Sequence, residues 1–441
     1  MQHKKLIVIS DLHIGGEAPI DDFECEKELI SFLDYLDENN ESIELVILGD
    51  FFDLWKIKDK LEGKVAYAIK QHPRLFEHLK KFGEKHKITV LGGNHDHEIV
   101  YEQRYQDDLA KYNMHVDKNQ FFKREFSNDG KSFRIVGEHG NQVEPATAFT
   151  DFSMKTDSSL SYHINQLFVY EMMKMGTDKK RPKWVSDLDN VDINLLFYWF
   201  SSKYFYYELG PILKAILIPM LLLFGFAVPY FAFDIATDFY RPNFLVPLLN
   251  FLDTNWVVKI LVFILYFDMV VVILLFFMSL VRKDFQKRLR SYGVQSLSEV
   301  VVSIHQAFKD RAKEVCSGKN PYKKKAHLYV NGHTHIPGLF DLKKDNFVHV
   351  DTGSWKKLMK RMPTYFHFPG VFVPYYDLNY LSCSLSEDKK GVNVELRSWP
   401  KQFTPQLTFL EKLTIKKNKN IPKPYKEDTC IEAINFPLHN C

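Results

Sequence analysis

Seven side chains in this 441-residue chain are hard oxygen or imidazole donors of the kind that hold divalent cations: Asp11, His13, Asp50, Asn94, His139, His333 and His335. They fall in five short blocks, in order Asp11-Leu-His13, Gly49-Asp50-Phe-Phe-Asp53, Gly93-Asn94-His95-Asp96, Glu138-His139-Gly140 and Gly332-His333-Thr334-His335. Taken singly, an Asp-Leu-His or a Gly-Asp is usually a turn or a helix cap. Together they make the donor inventory of a two-metal site. Two cations roughly 3.5–4 Å apart need a shared carboxylate, further O and N ligands, and positions left open for water and a phosphoryl oxygen.

Three blocks follow readable strands: Lys5 to Ser10, Leu45 to Leu48 and Ile88 to Leu91. Short β-branched runs closed by Gly or Asp suit buried strands, and ligands in α/β sheets collect at the carboxyl ends of strands. After the fifth block, Phe347 to Ser354 is a strand entering a turn, and Val392 to Leu396 and Leu407 to Leu413 are expected as further strands. His349 is expected on a sheet face, and His97, beside the third block, is a candidate for the cleft wall.

Lys and Arg number 58 against 55 Asp and Glu, so total charge gives no reason to expect a nucleic-acid partner. Cys25, Cys316, Cys383, Cys430 and Cys441 are scattered and in no CxxC spacing, as expected of unpaired thiols in a reducing compartment. The N-terminus leads straight into the first strand, and no secretory signal fits there.

Nearly two hundred residues separate the fourth and fifth blocks, more than a connection inside one domain requires. Within them, 215–233 carries no charge and 260–281 carries only Asp268. At about 1.5 Å per residue each reaches the thickness of a bilayer core. The expectation is a membrane hairpin; the alternatives are a re-entrant hairpin or a buried homodimer interface. Arg282, Lys283, Lys287, Arg288 and Arg290 follow the second segment, whereas Asp234, Asp238, Arg241 and Asp253 leave the connector mildly acidic. The positive-inside rule then puts the catalytic domain on the cytoplasmic side of the cell membrane. The expected organisation is a catalytic domain in two parts, 1–150 and 321–415, an insertion over 151–320 forming a helical cap with the hairpin, and a tail over 416–441.

The order of blocks resembles the calcineurin-like metallophosphoesterases, whose pattern is D-x-H, G-D-x-x-D, G-N-H-[DE], an upstream H and G-H-x-H. The resemblance covers residues 1–150 and 320–355. It implies an α/β fold, a β-sandwich flanked by helices, into which the hydrophobic helical hairpin is inserted. It also implies that Asp11, His13, Asp50 and His335 hold one metal and Asp50, Asn94, His139 and His333 the other, with Asp50 as the bridge. His95 falls at the position that contacts the scissile phosphate and protonates the leaving oxygen, Asp96 would orient that imidazole, and Asp53 would lie just behind the ligands. Manganese is the first expectation for both ions, with iron, zinc or magnesium also matched by these ligands.

The expected activity is hydrolysis of a phosphoester or pyrophosphate by direct transfer to a water activated by the two cations. Ser-Asp-Leu-His, Gly-Asp-Phe-Phe-Asp and the insertion after His139 resemble the UDP-2,3-diacylglucosamine hydrolases, which implies a lipid-linked or membrane-associated substrate. His95 departs from that group, which usually carries Arg there. The alternatives are a membrane-tethered phosphatase or nucleotide phosphodiesterase with a soluble substrate, and a non-catalytic scaffold.

Overall fold

The computed structural model describes residues 5–149, 158–172, 183–211 and 297–440, less positions 17–19, 22, 39–41, 59–61, 192–194, 320–322, 343–345, 366–367, 417–421 and 423, and a few residues between 215 and 269. Most strands belong to one of two mixed sheets. The first runs in the order β14 (Thr429–Pro437), β13 (Gly391–Trp399), β12 (Leu378–Leu385), β1 (Lys5–Ile9), β2 (Ile43–Leu48), β3 (Lys87–Leu91), β4 (Met114–Asp117). The second runs β15 (His439–Asn440), β6 (Lys131–Glu138), β7 (Leu328–Asn331), β9 (Phe347–Asp351), β8 (Gly338–Leu342), with β5 (Phe121–Asn128) also on β6. β1 to β4 are mutually parallel, as are β6, β7 and β9; the remaining pairs are antiparallel.

Side-chain alternation decides how these sheets pack. On β1 and β2, Leu6, Val8, Val46 and Leu48 face Phe133, Ile135, Leu328, Val330 and Val350 of the second sheet, so the two sheets form a sandwich. The opposite faces, Ile7, Ile9, Leu45 and Ile47, bury against helices α1 (Glu26–Glu38) and α2 (Pro73–Lys85) through Phe32, Leu33, Phe76 and Leu79. On the far side, helix Leu297–Cys316 packs Ala312 and Val315 on Tyr329 and Phe347. Burying each Leu, Ile, Val or Phe contributes roughly 1.5–3 kcal/mol, so this layering fixes the strand ends where the donors sit. Polar groups also cross between the sheets: Glu44 of β2 accepts from Arg124 Nε of β5 at 2.6 Å and pairs with Lys87 at 2.9 Å.

Two sequence readings change. Leu407 to Leu413 is not a strand: Phe409–Thr414 is a helix, started by a reciprocal cap in which Glu411 N donates to Thr408 Oγ1 and Thr408 N donates to the Glu411 carboxylate. Residues 416–441, read as a tail, carry β14 and β15, which extend one sheet and then the other. The hydrophobic segments 215–233 and 260–281 lie, apart from Ala215 and Met269, outside the described residues. Among the described residues no helix is long and apolar enough to cross a membrane. Cys25, Cys316, Cys383 and Cys430 are unpaired thiols.

The near end of the insertion returns to the sandwich. Leu188, Val191, Leu195 and Trp199 pack on Met359 and Phe372 of a hairpin made by β10 (Lys357–Met362) and β11 (Val371–Tyr376).

Candidate metal centre

Every expected ligand stands just past the carboxyl end of a parallel strand: Asp11 and His13 after β1, Asp50 after β2, Asn94 after β3, His139 after β6, His333 and His335 after β7. The first two loops are zipped together by Leu12 N and His13 N, which donate to Asp50 O at 3.0 and 2.9 Å. Gly332 N donates to His139 O at 3.0 Å, and this ties the fourth block to the fifth. The backbone is strained here. Asp11, His13, Asp50, His333 and His335 all have φ between 48° and 69°, a region L-residues rarely occupy and one that persists only where surroundings impose it. Glycine is required beside them because a Cβ on Gly93 would run into the Asp50 carboxylate, and one on Gly49 into the His139 ring.

The donor atoms converge. His13 Nε2 lies 3.4 Å from His335 Nε2, 3.6 Å from Asp50 Oδ2 and 4.0 Å from Asp11 Oδ1. His335 Nε2 lies 3.2 Å from Asp11 Oδ1. Deeper in, His139 Nε2 lies 3.2 Å from both Asp50 Oδ2 and Asn94 Oδ1. Asp50 therefore touches both groups, as a bridging carboxylate would. His139 Nδ1 donates to Leu48 O at 3.0 Å, which turns Nε2 toward the carboxylates. Asp11 Oδ1 is buried and accepts no well-aligned hydrogen bond, although imidazole nitrogens surround it. Buried carboxylates and imidazoles that crowd one another with an unsatisfied oxygen fit divalent cations. Asp11, His13 and His335 can hold one ion, and Asp11, Asp50 and His139 form a second overlapping group.

Charge in the site follows from this crowding. Burial, then the Lys356 ammonium, hold His13 down at about 3, which keeps it a neutral imidazole donor. Burial opposes charging of His139 too, but the Asp50 and Asp11 carboxylates raise it to about 10. A cation entering there takes the place of that proton. Burial also raises Asp50, but the charges of His139 and His95 outweigh it and hold the carboxyl well below its usual range.

His333 turns its Nε2 away from the other donors: it lies 3.1 Å from Glu144 Oε2 and 3.1 Å from Thr147 Oγ1. Its remaining nitrogen, Nδ1, is the one left for a cation, with the ring centroid 5.2 Å from that of His139. His95 Nδ1 lies 3.0 Å from Asp53 Oδ1, and Trp55 stacks on the ring at 3.8 Å. Asp96 does not touch that imidazole. Its carboxylate accepts from the backbone N–H groups of Gly93, Phe51 and Phe52 at 2.7, 2.8 and 3.1 Å, and burial pushes it up to about 7. Asp96 shapes the loop while Asp53 orients His95, because the ring of His95 turns back over the second block. His97 is buried and stacks on Phe149 at 4.0 Å, and His349 lies in β9 with Nε2 2.6 Å from Asn331 Oδ1.

Sequence reasoning passed over Glu144, Thr147, Lys56, Lys356, Asp189 and Asp351. Glu144 is five residues past His139 and was open to suspicion as a carboxylate in the same loop. Asp351 accepts from Thr334 Oγ1 at 2.7 Å and so braces the fifth block from β9. Nothing local in sequence marks Asp189, which arrives from the insertion.

The calcineurin-like phosphoesterase family model matches residues 4–219. No curated protein matches the chain. Among solved structures, the nuclease MPE of Pseudomonas putida is similar at 18% identity over 32% of this chain, with a TM-score of 0.19; the chain spans 54% of that protein. GAP50, the anchor in the inner membrane complex of Plasmodium, is similar at 11% identity over 95% of this chain and 91% of its own, with a TM-score of 0.35. The family match ends before the fifth block, which the fold carries back to the same place. Residues 4–219 are thus similar to the calcineurin-like phosphoesterases, and the carboxylates and imidazoles gathered at the strand ends are groups that could hold metal ions.

Proposed function

We propose that the chain uses two divalent cations, manganese first among them, to hydrolyse a phosphoester or pyrophosphate bond in an amphiphilic or membrane-associated substrate. One observation carries the two-ion reading: Asp50 Oδ2 lies 3.6 Å from His13 Nε2 and 3.2 Å from His139 Nε2, each backed by its own further donors. Asp11, His13, Asp50 and His335 would hold one ion, and Asp50, Asn94, His139 and His333 the other. When bound, such ions supply Lewis acidity toward a phosphoryl oxygen and lower the pKa of water.

The protein's own part centres on His95. Burial disfavours its charge, but the Asp53 and Asp50 carboxylates raise it above the ordinary histidine value. Its Nδ1–H is held by Asp53 Oδ1, which leaves Nε2–H to give a proton to the departing oxygen. Trp55 over one face keeps water from that side of the ring.

The amphiphilic substrate rests on the sequence of 215–233 and 260–281 and on where the insertion lies. Its helix Leu160–Ile164 sets Tyr162 against Trp55 at 5.6 Å, and Leu160 and Leu167 are exposed beside it. The test is hydrolysis by manganese-loaded protein in detergent, comparing lipid-linked pyrophosphates, cyclic nucleotides and aryl phosphates. Preference for the acylated substrate over its water-soluble headgroup supports the reading. Equal rates on both would remove the lipid link and leave a phosphoesterase with a soluble substrate.

A further inference from the structure

His95 is the near end of a chain of buried charges that runs out of the sandwich into the insertion. Asp53 Oδ1 holds His95 Nδ1 at 3.0 Å, and Asp53 Oδ2 lies 3.1 Å from Lys56 Nζ. Lys56 Nζ lies 2.9 Å from Asp189 Oδ2, which Lys356 Nζ also meets at 3.0 Å. Lys56 is 1% exposed, Lys356 4%, and Asp53 is fully buried. Two ammonium groups out of water are tolerable only beside matching carboxylates. Asp53 supplies one and Asp189 the other.

Asp189 comes from the 3-10 helix Lys183–Asn190, and the neighbouring residues explain how it is delivered. Leu188 is buried in the apolar cluster with Met359, Phe372 and Trp199. Asp187 Oδ1 pairs with Lys357 Nζ at 3.1 Å on the outer side, while the adjacent Lys356 turns inward to Asp189. Successive lysines where β10 begins thus grip two carboxylates spaced by one apolar residue, as alternating side-chain directions allow. Seating this helix both covers the β10–β11 hairpin and completes the charge chain behind His95.

We propose that Asp189 is a positioning residue for the hydrolytic site: by anchoring Lys56 it holds Asp53 against the His95 imidazole, so that docking of the inserted segment on the sandwich sets the leaving-group end of the site. This rests on the reading of His95 as the proton donor. Among the described residues Asp189 reaches the candidate metal ligands only through Asp53, whose Oδ2 lies 3.8 Å from His13 Nδ1, so metal content is measured alongside the rates. Its effect falls on proton delivery, which matters most for a basic leaving group.

The experiment compares full-length wild type, Asp189→Asn and His95→Ala, each loaded with manganese, on two phosphoesters that differ only in leaving group, 4-nitrophenol and a simple alcohol. Expected for Asp189→Asn is two ions still bound, unchanged KM, and a kcat lowered about 10–100-fold on the alkyl ester but about threefold or less on the nitrophenyl ester. A loss of the same factor on both esters, or no loss, overturns the proposal. Asp189→Asn strands an ammonium, so Asp189→Asn with Lys356→Gln, which removes the stranded charge, is measured as well; Lys56 has still lost its anchor and the same discrimination is expected. If His95→Ala discriminates and neither Asp189 variant does, the positioning role fails and the proton-donor reading stands. If His95→Ala itself loses both esters equally, the proton-donor reading fails and the proposal with it.

Discussion

At the scale of single residues, the chemistry depends on imidazoles whose second nitrogen is already engaged. His139 gives Nδ1 to Leu48 O, His333 has Nε2 against Glu144 and Thr147, and His95 has Nδ1 against Asp53. Each partner fixes a tautomer and a ring direction, and partners of this kind are worth about 10–100-fold in metal affinity. Glu144→Gln is therefore expected to weaken the ion proposed for Asp50, Asn94, His139 and His333 by about 10–100-fold while the fold is kept, checked by calorimetric titration of metal-stripped protein with manganese. His95→Ala is expected to keep its metal and lose roughly 10²–10⁴-fold in kcat on substrates with poor leaving groups, checked by steady-state kinetics. Asp50→Ala and His139→Ala should each abolish hydrolysis and lower bound metal, since one removes the carboxylate shared by the two proposed ligand sets and the other an imidazole 3.2 Å from it.

At the scale of elements, the places of the first three blocks were legible because each follows an apolar run, and those runs are strands. The Leu407 to Leu413 misreading has a local cause. Leu, Phe and Leu at near-alternating positions suit a strand, but Thr408 and Glu411 three apart are a helix-starting pair, and their reciprocal hydrogen bonds decide the matter. The brace between the sheets was not legible, since Glu44 and Arg124 are 80 residues apart and meet only when the sandwich closes. That brace predicts an acid response. Burial raises the Glu44 carboxyl, but Arg124 and Lys87 outweigh it and lower it from 4.5 to about 2. A group depressed in the folded state stabilises above its unfolded pKa, so this contribution is present above pH 4.5 and is lost as pH falls toward 2. Glu44→Gln is expected to cost about 1–3 kcal/mol at pH 7 and much less at pH 2.5, measured by urea unfolding.

At the scale of the whole molecule, the insertion is anchored on both sides. Trp199 and Leu188 hold its first part to the β10–β11 hairpin, and helix Leu297–Cys316 holds the return to the second sheet, where Arg311 Nε donates to Glu138 at 2.7 Å beside His139. Glu138 also accepts from Tyr329 Oη at 2.9 Å. The sequence announced an inserted unit through the gap between His139 and His333, but not that Asp189 would reach the site, because nothing near Asp189 in sequence shows its two lysine partners. Replacing 215–281 with a short Gly/Ser linker spares these anchors. The variant is expected to hydrolyse aryl phosphates within about threefold of wild type, measured by steady-state kinetics.

The central claim is that Asp50 bridges two cations at the strand ends. Elemental analysis of manganese-loaded, dialysed protein tests it most directly. Two ions per chain in the wild type, falling to one or fewer in Asp50→Ala, is the predicted result. One ion per chain in the wild type, with full hydrolytic activity, would contradict it.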